Sequence, residues 1–223
     1  MINAVILDLD DTLYPETQYV QSGFREVADF LKNSYNKTDS LQILQMLFEQ
    51  NRQGVFDRLC EKSHLDKCVA KQMHTVYIGH TPKIKLFSDS LMFLQWLRKN
   101  NYQTGLITDG RPQQQNAKID ALGVRHFFKQ IIITDELGEI CFRKPCPLAF
   151  EIMSSKLNIP YNKLVYIGDN AIKDFDAPHK LGMKTIKIIR KSSLYTNNIS
   201  KANIKAQFEV TSFQEVKDIL QNV

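Results

Sequence analysis

Short apolar runs that stop abruptly at an acid-bearing loop constrain this chain more than any other feature. Ala4 to Leu7 runs into Asp8-Leu9-Asp10-Asp11-Thr12, Gly105 to Ile107 into Thr108-Asp109-Gly110, and Leu164 to Ile167 into Gly168-Asp169-Asn170. With Thr104 opening the second run, and with Gln130–Ile133, Thr185–Ile189 and a weaker Gln207–Val210, they have the length and continuity of strands buried on both faces of a parallel sheet. Amphipathic segments lie between them: Ser90–Asn100, Arg111–Leu122, Pro147–Leu157 and Ile172–Leu181, each long enough for a crossover helix. Gly123, Asn158 and Gly182 stand where helix stops belong. Alternating strand and helix predicts a doubly wound α/β domain.

One interval breaks the alternation. From Glu16 to about Pro82 no strand pattern occurs, and apolar residues recur at helical spacing: Phe24, Val27, Ala28 and Leu31, then Leu41, Leu44, Leu47 and Phe48. Asn36 to Asp39 reads as the turn between these two helices, and two more are expected over Val55–Leu65 and Asp66–Ile78. The expected organisation is an α/β core over residues 1–15 and 83–223 with an all-helical insertion over 16–82.

Composition narrows the class. Among 223 residues, 43% are hydrophobic and 24% charged, which excludes disordered and collagen-like chains. Every apolar run is far shorter than the roughly 18 residues of a membrane span. The chain therefore reads as soluble and cytoplasmic, without a membrane partner. Cys60, Cys68, Cys141 and Cys146 match neither a zinc ribbon nor a redox pair, so reduced thiols are expected, and the five histidines show no metal-ligand pairing. The net charge of +5 concentrates in Lys184 to Lys205, where six cations occur without an acid. That stretch lacks the aromatics of a nucleic-acid platform and reads as a solvated edge and loop, with no nucleic-acid partner.

The acid-ended strands locate the chemistry, because ligands of open α/β sheets bind beyond the carboxyl ends of the strands. Side chains alternate along extended backbone, so Asp8 and Asp10 point to one side while Leu9 faces the core. One site would collect Asp8, Asp10, Thr108 and Asp169. Clustered carboxylates raise one another's pKa, and a hard cation relieves this. An oxygen-only set suits magnesium, with Asp8 and Asp169 as its side-chain ligands.

Asp8-Leu9-Asp10-Asp11-Thr12, Thr108-Asp109-Gly110, Lys144-Pro145 and Gly168-Asp169-Asn170-Ala171-Ile172-Lys173-Asp174 resemble, in order, the four motifs of the haloacid dehalogenase superfamily. The resemblance spans nearly the whole core. It implies a Rossmann-like sheet with the first strand central, and the insertion resembles the helical cap of phosphoglycolate-phosphatase-like members, which closes over the strand ends and selects substrate. It further implies a Mg2+-dependent phosphatase acting on a small phosphorylated metabolite. Asp8 would be the nucleophile and Asp10 the general acid and base. Magnesium would be held by Asp8, the backbone carbonyl of Asp10, and Asp169.

Under the same resemblance Thr108, Asp109, Gly110 and Lys144 would bind phosphate, Lys144 supplying fixed positive charge, and Asp174 would anchor Lys144 or assist the metal through water. Asp109 departs from the asparagine often found there, and its added negative charge leaves open whether it turns away or meets the cap. Asp11 reads as a loop or capping residue and Thr12 as a local hydrogen-bonding brace of the loop. Tyr14, Tyr19, Phe24 and Arg25 either face the cleft or form cap core. Arg111 either meets an anionic substrate or is solvated. A phosphotransferase or mutase would keep every core residue. A 2-haloacid dehalogenase fits less well, since Asp10 and Asp169 are both present, and a non-catalytic binding protein would not need the intact set.

Overall fold

A computed structural model of the protein describes residues 1–191 and 205–222. The chain divides into two compact units, Met1–Thr17 with Lys85–Val223, and Gln18–Ile84. The division falls two residues beyond the boundaries expected from the sequence.

The first unit holds six parallel strands: β1 (Ala4–Leu7), β2 (Gln103–Thr108), β3 (Gln130–Ile133), β4 (Leu164–Gly168), β5 (Lys184–Ile188) and β6 (Phe208–Val210). Their order in the sheet is β3-β2-β1-β4-β5-β6, so β1 lies inside the sheet between β2 and β4. This is the Rossmann-like α/β architecture. All four residues of β1 are fully buried, which explains why the strand shows no polar alternation. Ala4 and Ile6 turn to one face and join a core with Phe150, Met153 and Ala177. Val5 and Leu7 turn to the other.

Strand β1 is followed by α1 (Glu16–Tyr35), α2 (Ser40–Gln50), α3 (Val55–Lys62) and α4 (Cys68–Gly79). Helix α3 ends three residues before the helix expected over Val55–Leu65, and α4 starts two residues after the start expected at Asp66. Residues of all four form one apolar core in the second unit, through Phe24, Val27, Leu31, Leu44, Leu59 and Met73. Phe24 belongs to this core, edge-on to Phe48 at 5.6 Å; Tyr19 is buried and edge-on at 5.6 Å to Tyr77, which packs against that core. Arg25 is exposed.

The sheet is flanked by α5 (Ser88–Lys99), α6 (Pro112–Ala121), α7 (Leu148–Leu157), a short α8 (Asp176–Lys180) and α9 (Phe213–Asn222). Helix α8 is half the length expected from Ile172–Leu181. Residues 170–174 instead close a loop in which Asn170 Oδ1 accepts from Ile172 N at 3.0 Å and Asp174 Oδ2 accepts from Asn170 N at 2.9 Å. These local bonds compete with helix formation.

The basic stretch also departs from expectation. Arg190 is buried, pairs with Asp89 at 2.9 Å and lies over the rings of Phe87 (4.4 Å) and Phe213 (4.9 Å). Lys187 is buried too. Only a guanidinium offers both a fork for a carboxylate and a flat face for two rings, so Arg190 ties the end of the fifth strand to α5 and α9 and is not part of a solvated edge. Lys201 lies outside the described residues. All four cysteines are free thiols. Among the described residues no helix is long and apolar enough to cross a membrane.

Candidate active site

The strand registers set Leu7 beside Leu106 and Ile167, so the loops after β1, β2 and β4 emerge together. Asp8 is tied to the next strand by its N–H, which donates to Ile167 O at 2.9 Å. The order of the sheet reverses its direction of growth at β1 and β4, the place where open α/β sheets form a crevice.

Two clusters occupy that edge. In the first, Lys144 Nζ donates to Asp8 Oδ1 at 2.6 Å and to Tyr166 Oη at 2.8 Å, and pairs with Asp174 Oδ1 at 2.8 Å. Neither Lys144 nor Asp174 exposes any side-chain surface. Asp8, Asp169 and Asp174 each bring a carboxylate oxygen within 4.8 Å of the others. Burial pushes Asp8 up to about 6 against the opposing charge of Lys144, with Asp174 adding to the rise. Gly168 makes this packing possible: a Cβ there would lie 2.5 Å from Asp174 Oδ2 and 2.8 Å from its Cγ.

The second cluster surrounds Asp10. Lys118 Nζ donates to Asp10 Oδ1 at 2.8 Å, Gln115 Nε2 to Asp10 Oδ2 at 3.0 Å, and the Tyr14 hydroxyl to Asp10 Oδ1. Gln115 also donates to Thr108 Oγ1, which leaves the hydroxyl hydrogen of Thr108 for another acceptor. Burial alone would raise Asp10, but the Lys118 charge and the bonds from Lys118, Tyr14 and Gln115 outweigh it and hold the carboxyl below the usual range. Glu16 is pushed up to about 7 by burial and by the Asp10 charge.

Both oxygens of Asp109 are engaged by donors of the protein. Its Oδ1 accepts from Thr134 Oγ1 at 3.0 Å and from Lys144 N at 3.1 Å, and its Oδ2 accepts from Lys173 Nζ at 3.2 Å. Beside it Gly110 has φ of 130°, a conformation costly for any residue with a Cβ. Arg143 grips Asp135 with two bonds of 2.7 Å, fixing the approach to Lys144.

Two minor expectations need correction. The Thr12 hydroxyl is buried with no hydrogen-bond partner among the described residues, because Leu13 N donating to Leu9 O and Glu16 N donating to Asp11 Oδ1 already close the loop. Tyr14 is neither cap core nor cleft lining; it is fully buried in the first unit against Asp10. Arg111 is exposed.

A family model described as haloacid dehalogenase-like hydrolase matches residues 5–188. The chain belongs to this family. Among curated relatives of this haloacid dehalogenase-like hydrolase, the glyceraldehyde 3-phosphate phosphatase of Methanopyrus kandleri is 26% identical, covering 100% of this chain and 99% of the relative. The glyceraldehyde 3-phosphate phosphatase of Methanocaldococcus jannaschii is 28% identical, with the same coverages. Among solved structures, a predicted phosphoglycolate phosphatase from Haemophilus somnus 129pt superposes with a TM-score of 0.71 at 18% identity, covering 99% of this chain and 98% of that one.

Sequence reading missed Gln115, Lys118 and Tyr166, and gave Lys173 no role within the fourth motif. The signal for the first two is visible in hindsight: the buried residues of α6 are Gln115, Lys118 and Ile119, so two of three positions on its inward stripe are polar. A helix that buries a glutamine and a lysine requires partners for them. Tyr166, amid the apolar residues of β4, carries the same demand.

Proposed function

We propose that this haloacid dehalogenase-like hydrolase is a phosphatase that cleaves a small soluble phosphomonoester through an aspartyl-phosphate on Asp8, with magnesium as its cofactor. The carrying observation is the buried Asp8 carboxylate held at 2.6 Å by an equally buried lysine, one strand from Asp169 and one residue removed from the Asp10 cluster. End-to-end relatives named for glyceraldehyde 3-phosphate support a small phosphorylated substrate. Triose phosphates are the first class to assay.

The donor set fits a hard cation. It is all oxygen, and both oxygens of Asp174 are engaged by Lys144, Tyr166 and Asn170 N. Asp8 and Asp169, with the backbone carbonyl of Asp10, would hold the magnesium ion, while Asp174 holds Lys144. When bound, the ion neutralises negative charge as carboxylate and phosphate approach.

In the first half-reaction an Asp8 oxygen forms a bond to phosphorus as the bond to the leaving oxygen breaks, and Asp10 gives that oxygen its proton. Asp10 then takes a proton from the water that cleaves the acyl phosphate, which regenerates Asp8. The ionised Asp10 of the unliganded site is the base form. An arriving phosphate adds negative charge beside it and so favours its protonation. Thr108 offers its free hydroxyl hydrogen to a phosphate oxygen.

Comparison of an aryl with an alkyl phosphate tests this division of labour, after wild-type phosphate release has been measured with and without EDTA. Asp10→Asn should slow the alkyl phosphate by at least about 100-fold. The aryl phosphate, whose leaving group departs without a proton, should show a faster first step with phosphorylated protein accumulating. Equal slowing of phosphoryl transfer from both would remove Asp10 from the acid role. EDTA-insensitive release by the wild type would remove magnesium.

A further inference from the structure

The lysine that the motif pattern assigns to phosphate has no hydrogen left to give. Lys144 carries three N–H hydrogens, and its nitrogen has three oxygen neighbours at 2.6 to 2.8 Å in Asp8, Tyr166 and Asp174. Its side chain is 0% exposed. An arriving phosphate oxygen would have to displace one of these short contacts.

A second ammonium stands nearby under different terms. Lys173 precedes Asp174 in the loop after β4, and its charge acts on Asp8. The Lys173 side chain is 30% exposed. Among the described residues its hydrogen bond is the single 3.2 Å contact to Asp109 Oδ2, longer than any made by Lys144. Asp109 is fixed independently through its other oxygen by Thr134 and the Lys144 N–H, so Lys173 is the member of the pair free to move.

We propose that Lys173 binds the substrate phosphate directly, exchanging Asp109 for a phosphoryl oxygen, beside a Lys144 that keeps its hold on Asp8. This rests on the phosphatase reading and gives a role to a residue of the fourth motif, Lys173, that the resemblance leaves without one. It also accounts for an aspartate beside a phosphate site. Asp109 parks the ammonium in the empty state and braces the backbone of Lys144 in both states. No bond is made or broken beyond this exchange of hydrogen-bond partners.

Titration of the full chain with inorganic phosphate by calorimetry, alongside KM and kcat for an aryl phosphate, tests the assignment. Lys173→Met should raise the phosphate Kd and the KM by about 10- to 100-fold, the worth of one hydrogen bond between charged groups, with a smaller change in kcat. Lys173→Arg, which keeps the charge, should recover part of the loss. The double variant Asp109→Asn with Lys173→Met separates contact from neutralisation, since the amide keeps an acceptor for Thr134 and Lys144 N but removes the negative charge. Phosphate affinity should remain weak in the double variant. Affinity within twofold of wild type in Lys173→Met, or recovered in the double variant, would overturn the proposal. A wild type that neither bound nor released phosphate would overturn the phosphatase reading, and the proposal with it.

Discussion

Asp8→Asn should reduce turnover by at least about 10³-fold, as loss of a covalent nucleophile does, while the metal-free protein becomes more stable at neutral pH. The two effects have one cause. Burial raises the Asp8 carboxyl to about 6 from an ordinary 3.8, so the folded state prefers the protonated form and ionised Asp8 costs stability. The proton-bound preference favours folding fully below pH 4 and is lost as pH rises through about 6. Asparagine mimics the neutral form at every pH. The stability gain should therefore be about 3 kcal/mol at pH 7 and above, and vanish near pH 4. Denaturant melts of both proteins in EDTA across that range check it. A variant less stable than wild type at pH 7.5 would mean that Asp8 is a net contributor to the fold.

Lys144→Met is expected to damage both function and fold. It leaves Asp8 and Asp174 buried together without the ammonium that lies 2.6 and 2.8 Å from them. Removing one partner of a buried ion pair costs about 3–5 kcal/mol, because the remaining charge is uncompensated. Turnover should fall for aryl and alkyl phosphates alike, since no proton transfer depends on this lysine. Asp8→Asn added to Lys144→Met should restore much of the stability and none of the activity. A Lys144→Met protein as stable as wild type would show that Asp8 and Asp174 do not depend on Lys144 for their charge balance. Proportional losses that the double variant does not relieve would point to packing instead.

The sheet was legible because burial on both faces writes itself into consecutive residues: Ala4–Leu7 and Gln130–Ile133 are strands over the very residues that read as apolar runs. Asp8, Thr108 and Asp169 were legible because each directly follows or ends such a run. The Asp10 cluster was not, since Lys118 lies 108 residues from its partner and Gln115 lies 105. No local periodicity encodes such a pair; only the return of α6 to the strand ends makes it. Helix α8 was overestimated for the opposite reason, because Asn170 and Asp174 close a polar loop where helical periodicity suggests continuation. Arg190 was misread within a run of cations whose charge count does not distinguish a solvated lysine from a guanidinium stacked on two rings.

Covalent capture of the phosphoryl group tests the central claim most directly. Asp10→Asn with magnesium and an aryl phosphate should form the acyl phosphate and lack the base that hydrolyses it. Acid quenching, proteolysis and peptide mass mapping should then find one phosphoryl group on the peptide containing Asp8, absent when Asp8→Asn is added. A phosphoryl group on another residue, or turnover of the aryl phosphate with no phosphorylated protein in a single-turnover time course, would contradict nucleophilic attack by Asp8.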